Sequence, residues 1–82
     1  SVWFKLNIGR RNNADPKWLL PLLCRRGGVT RNDIGAIRIA ADETFVGISA
    51  AAARHFAKAV AQRGHDEDND VEIIEAEGPP RQ

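Results

Sequence analysis

At 82 residues and 43% hydrophobic, the chain has material for one small domain with a modest core, and no room for a two-domain active-site cleft. A single cysteine, Cys24, excludes an internal disulfide framework and a four-cysteine zinc site, and no apolar run reaches the roughly 20 residues that span a bilayer. The expectation is a soluble cytoplasmic protein with no cofactor and no membrane partner. The net charge of +1 hides a division: up to Ala41 eight cations face two acids, for a net +6, and from Asp42 onward four face nine, for a net −5. A basic patch can therefore survive on one face. Arginine outnumbers lysine nine to three, which favours bidentate contact with phosphate.

The first stretch, VWFKLNIGRRNN, alternates. Val2, Phe4, Leu6 and Ile8 fall on one side of an extended chain and Trp3, Lys5 and Asn7 on the other, which predicts a half-buried strand leading into a basic loop at Arg10 and Arg11. Asp15-Pro16 then supplies an N-cap and a first-turn proline for a helix through KWLLPLLCRR, closed at Gly27 or Gly28. Pro21 removes one bond of that helix, so a bent or irregular first turn is expected. The dense leucines dock on a sheet, and Cys24 packs as a small buried hydrophobe.

After the polar link VTRND, Ile37 and Ile39 face one way and Ala36, Arg38 and Ala40 the other, giving a second strand with a cation on its open side. Asp42-Glu43 turns the chain into a third strand, Thr44 to Ile48, so the pair forms an antiparallel hairpin. With Val46 and Ile48 inward, Phe45 and Gly47 share the open face with Arg38, Lys5 and Trp3. Ser49 precedes an alanine-rich helix whose inner stripe is Ala53, Phe56, Ala57 and Val60, ending at Gly64. His55 is expected at its surface. The acidic HDEDND run lacks calcium-loop spacing and reads as a solvated loop. Val71 to Ala76 is a last strand.

The order β-α-β-β-α-β predicts an α+β, ferredoxin-like or RRM-like fold: a four-stranded antiparallel sheet with two helices on one face. One domain over residues 1–77 is expected, with 78–82 a flexible tail. Residues separate three functional classes that use this shape. Metal chaperones need paired cysteines in the first loop, and only Cys24 exists. Acylphosphatase-like enzymes combine an arginine in the first loop with an asparagine from the central hairpin, and Asp42-Glu43-Thr44 offers acid instead. RNA-recognition domains stack bases on aromatics of the first and third strands and hold phosphate with cations, which Trp3, Phe45, Lys5, Arg38, Arg10 and Arg11 supply.

The framework Asn7-Ile8-Gly9-Arg10, Asp15-Pro16 opening a helix that ends at Gly28, Asp33-Ile34-Gly35-Ala36-Ile37-Arg38-Ile39 and Thr44-Phe45-Val46-Gly47-Ile48 resembles the C-terminal RNA-binding domain of bacterial DEAD-box RNA helicases, of the DbpA and cold-shock (CsdA/DeaD) type. The segment DPKWLLPLLCRRGG is close to the version in alphaproteobacterial members. The resemblance covers roughly Val2 to Val60. It implies an accessory domain that docks on structured RNA, often ribosomal, and delivers an attached ATP-dependent helicase core to a nearby duplex. Neither a Walker loop nor an Asp-Glu-Ala-Asp box is present, so this stretch alone is expected neither to hydrolyse ATP nor to unwind RNA, as a fragment of a longer protein.

The resemblance places RNA contact on the first loop and its neighbouring strands: Lys5, Asn7, Arg10 and Arg11, with Arg38, Phe45 and Trp3 beside them. Lys5 stands where a standard RNA-recognition motif carries an aromatic, which shifts weight from stacking to cation contacts. Trp3 is read either as a stacking surface or as an edge residue covered by the C-terminal segment. Trp18 is expected to pack at the start of the first helix, and Arg25 and Arg26 either extend the patch or complement that helix's carboxyl end. The competing expectation is a protein-binding module whose open sheet face or first helix docks a degradosome component or the helicase core.

Overall fold

The structure, a computed structural model, describes residues 1–62 and 71–78. The chain runs β1 (Val2–Leu6), α1 (Pro16–Gly27), β2 (Ile34–Ile39), β3 (Thr44–Ile48), α2 (Ala50–Gln62) and β4 (Ile73–Glu75). The four strands form one sheet in the order β2-β3-β1-β4, with every neighbouring pair antiparallel. This is the ferredoxin-like arrangement expected from the order of elements. The acidic run at 65–70, the helix stop at Gly64 and the tail at 79–82 lie outside the described residues.

Alternation in β1 and β3 divides the sheet into two faces. Phe4, Leu6, Val46 and Ile48 turn inward and are buried with Leu19, Leu22 and Leu23 of α1 and Ala53, Phe56 and Val60 of α2, so both helices cover the same side. Phe4 and Phe56 meet edge to face, ring centroids 4.7 Å apart, and join the centre of the sheet to α2. Gly27 lets the helices close on one another: a β-carbon there would stand 2.2 Å from the Phe56 ring.

α1 begins as its sequence dictates. The Asp15 carboxylate accepts the Lys17 amide at 2.8 Å, Pro16 occupies the first turn, and Gly28 closes the helix in the left-handed conformation at φ 63°. The helix passes unbroken through Pro21, whose side is exposed, so water can meet the carbonyl that the missing N–H leaves without a donor. The irregularity lies in the first turn, as expected, where the Asp15 carbonyl accepts from both Trp18 and Leu19. Cys24 is half-buried.

The polar link before β2 is an ordered turn. Residues 31–33 form a 3-10 turn in which the Asp33 carboxylate accepts from the Thr30 amide and hydroxyl, each at 3.2 Å. The Asp33 carbonyl then accepts the Ser49 amide at 2.8 Å, and its carboxylate the Ser49 hydroxyl at 3.4 Å, tying this turn to the start of α2. Arg26 corrects the reading that adds it to a surface patch: it is buried, and its guanidinium donates to the Val71 carbonyl at 2.8 Å. The residue anchors α1 to the segment entering β4.

Candidate nucleic-acid interface

The uncovered face of the sheet carries a row of side chains set by strand register. Arg38 on β2 pairs with Phe45 on β3, Phe45 with Lys5 on β1, and Lys5 with Ile74 on β4. Neighbouring strands lie about 4.8 Å apart, so the row presents cation, aromatic, cation and aliphatic side by side. Phe45 and Lys5 are half-buried, whereas Arg38 and Ile74 are exposed.

In the next row Trp3 stands opposite Gly47, and its indole rests on that glycine: Cε2 and Cζ2 lie 3.5 Å from where a β-carbon would be. A β-carbon at position 47 would touch the ring at ordinary van der Waals distance, so side chains longer than alanine's meet the indole. β1 is an interior strand, flanked by β3 and β4, so Trp3 is not an edge residue. The C-terminal segment meets its backbone, the Ala76 amide donating to the Trp3 carbonyl at 2.8 Å.

At the end of β1 the basic loop is a 3-10 turn, Arg10–Asn12, bolted to the β2–β3 connection. The Arg10 and Arg11 amides donate to the carbonyls of Ala40 and Ala41 at 2.8 and 3.0 Å, and the buried Thr44 hydroxyl donates to the Ile8 carbonyl at 2.7 Å. Gly9 permits the approach. A β-carbon at this position would sit 2.4 Å from the Ala40 oxygen and 2.6 Å from the Glu43 nitrogen. Asn12 returns its side-chain oxygen to the Gly9 amide, and Asn13, at φ 61°, ends the turn. Both arginine backbones are thus fixed while their side chains are exposed.

The cations do not stand in equal surroundings. Lys5 Nζ lies 3.7 Å from Glu43, and Arg11 Nε lies 3.3 Å from Asp42, so the turn between β2 and β3 supplies a carboxylate to each. Among the described residues neither Arg10 nor Arg38 has an ion-pair partner. Asn7 serves the scaffold: its side-chain oxygen accepts the Glu72 amide at 2.8 Å, and its own amide donates to the Glu72 carbonyl at 3.2 Å. A hollow of about 240 Å³ lies among Lys5, Asn7, Asp42, Glu43, Glu72 and Ile74. Three carboxylates around one lysine repel phosphate there, which displaces the cationic footprint toward Arg10 and Arg38.

Ile74 on this face escapes the sequence reasoning, and Trp18, outside the face on α1, is more exposed than the packing expected at the start of that helix. Ile74, 53% exposed, was signalled by the adjacent Ile73-Ile74 pair, since a strand must turn one of two neighbours outward. Trp18, 40% exposed, is oriented by an indole N–H that donates to the Asn13 carbonyl at 3.0 Å.

An aromatic-and-cation sheet face beside a fixed basic turn suits nucleic acid: ring faces for bases, guanidinium groups for phosphates. No curated protein matches the chain. A family model described as the DbpA RNA binding domain matches residues 3–72, taking in the elements from Trp3 through α2 and stopping just before β4. The chain belongs to the DbpA RNA-binding domain family.

Proposed function

We propose that this domain anchors a DEAD-box RNA helicase core to structured cytoplasmic RNA, ribosomal RNA being the leading candidate, and that it performs no catalysis itself. RNA binding follows from the family. The helicase core rests on the resemblance of the Asn7–Arg10 and Asp33–Ile48 framework. The face is argued from one observation: the register that sets Arg38, Phe45 and Lys5 in a single row beside the Arg10–Arg11 turn. In this reading Arg10 and Arg38 take phosphates first, because no carboxylate within the described residues competes for them. Phe45 receives an unpaired base, with Trp3 beside it on the same face. Lys5 and Arg11 join once phosphate displaces Glu43 and Asp42. Docking then holds the core at high effective concentration near its duplex, so affinity for the anchor site becomes activity at the neighbouring one.

The test is an amide and indole NMR titration with a ribosomal RNA hairpin that carries unpaired nucleotides. Shifts are expected at Trp3, Lys5, Arg10, Arg11, Arg38 and Phe45. Shifts confined to the exposed side of α2 would place the RNA elsewhere. The exposed Ile74 favours a second reading, in which the β4 side of the sheet docks a protein. That reading predicts no response to RNA across the row and a response at Ile74 to the separately expressed helicase core.

A further inference from the structure

Trp18 does not pack away at the head of α1. It is 40% exposed, and its one polar group is already engaged with the Asn13 carbonyl at 3.0 Å, so the ring is held in place with apolar surface in solvent. Asn13 in turn donates its amide to the Arg10 carbonyl at 3.0 Å. Two hydrogen bonds therefore join the indole to the turn that presents Arg10 and Arg11. The same side of α1 exposes Lys17, Pro21 and Arg25. Asp15, at the head of the helix, has its carboxylate on the Lys17 amide as the helix cap.

We infer that Trp18 is a second stacking platform, which takes an unpaired RNA base outside the sheet while Arg10, Arg11 and Lys17 hold the flanking phosphates. The occupant is RNA rather than protein because the surroundings of the ring are cationic and continuous with the basic turn, the complement of a polyanion that carries aromatic bases. The inference rests on the RNA-binding reading above and extends it. RNA that stacks on Phe45 and continues past the Arg10–Arg11 turn reaches Trp18 next, so the footprint wraps from the open sheet face onto the first helix.

The test compares two RNA probes, a hairpin with a single-stranded extension and the same hairpin fully paired and blunt, against the whole chain and variants at position 18. Trp18→Leu is expected to weaken binding of the extended probe about 5- to 150-fold, the range for one base stacked on an aromatic side chain. The blunt probe should be nearly unaffected. Trp18→Phe keeps a ring but loses the N–H bond to Asn13, and should retain most of the affinity. In a Trp3→Phe background Trp18 is the sole indole, since the chain holds two tryptophans, and its emission should be quenched by the extended probe.

Equal binding by Trp18→Leu and wild type, or unchanged Trp18 emission at saturation, overturns the inference while leaving the sheet-face reading intact. If Trp18→Phe falls as far as Trp18→Leu, the residue serves only to brace the turn, which also overturns it. A wild-type chain that binds neither probe removes both readings together.

Discussion

Lys5 and Arg11 each have two claimants. In the free domain Glu43 and Asp42 hold them, at 3.7 and 3.3 Å, and in the complex a phosphate must take the carboxylate's place. Water reaches both pairs, Arg11 and Asp42 at 75% and 69% of their side-chain surface and Lys5 and Glu43 at 37% and 44%, so water and salt screen them and each adds no more than about 1 kcal/mol to stability. The carboxylates matter more to binding, because they lie beside the ligand's path and repel it. Asp42→Asn combined with Glu43→Gln should therefore raise RNA affinity about 3- to 10-fold at low salt, the effect of relieving roughly 1 kcal/mol of repulsion, while the melting temperature barely moves. Binding measured from low to high salt checks this, since the gain should fade as the field is screened. Unchanged or weaker binding at low salt would show that the acids do not compete.

At the level of elements, the link between β1 and α1 carries both fold and function. A methyl group at Gly9 would meet the Ala40 oxygen at 2.4 Å, so the Arg10–Asn12 turn would have to part from the β2–β3 connection and release the bonds at 2.8 and 3.0 Å. Gly9→Ala should cost about 2–3 kcal/mol through overpacking and lost hydrogen bonds, and should weaken RNA binding because Arg10 and Arg11 move with their backbone. Thermal unfolding and binding measured on the same variant check both halves. Full stability with lost affinity would contradict the steric account. That turn was only partly legible in the sequence: Gly-Arg-Arg-Asn-Asn has no hydrophobic period, and nothing local reveals that its amides find carbonyls some thirty residues on. β1, β2, β3 and both helices were legible because one buried face imposes a period of two or of 3.6 residues. Arg26 was not, since its acceptor, Val71, lies 45 positions away. The open-face row was legible as a set of residues sharing a side, but the neighbours within it depend on register. The two readings of Trp3 could not be separated because strand order, unlike alternation, is written in long-range pairing; the interior place of β1 removes the edge reading.

For the whole molecule, a net charge of +1 means that long-range attraction to RNA is weak, so binding must come from a local cationic cluster in contact with the backbone. On the sheet face and its basic turn the candidates are Lys5, Arg10, Arg11 and Arg38, and each phosphate contact contributes about 0.7 to 0.9 to the slope of log affinity against log salt. If all four engage, the slope is about −3 to −3.5, allowing that aromatic stacking adds affinity without adding to it. The Arg10→Ala, Arg11→Ala double variant should lose about 1.4 to 1.8 of that slope and keep its fold, because these side chains are exposed and the turn is held through their backbone amides. Phe45→Ala makes the contrast: affinity should fall by about 1–3 kcal/mol with the slope unchanged, since a ring carries no counterion to release. Binding isotherms for the three proteins at four or five salt concentrations separate the roles. A double variant with the wild-type slope would remove the basic turn from the interface, and a Phe45→Ala variant with an altered slope would mean that the ring only positions its cationic neighbours, Arg38 and Lys5.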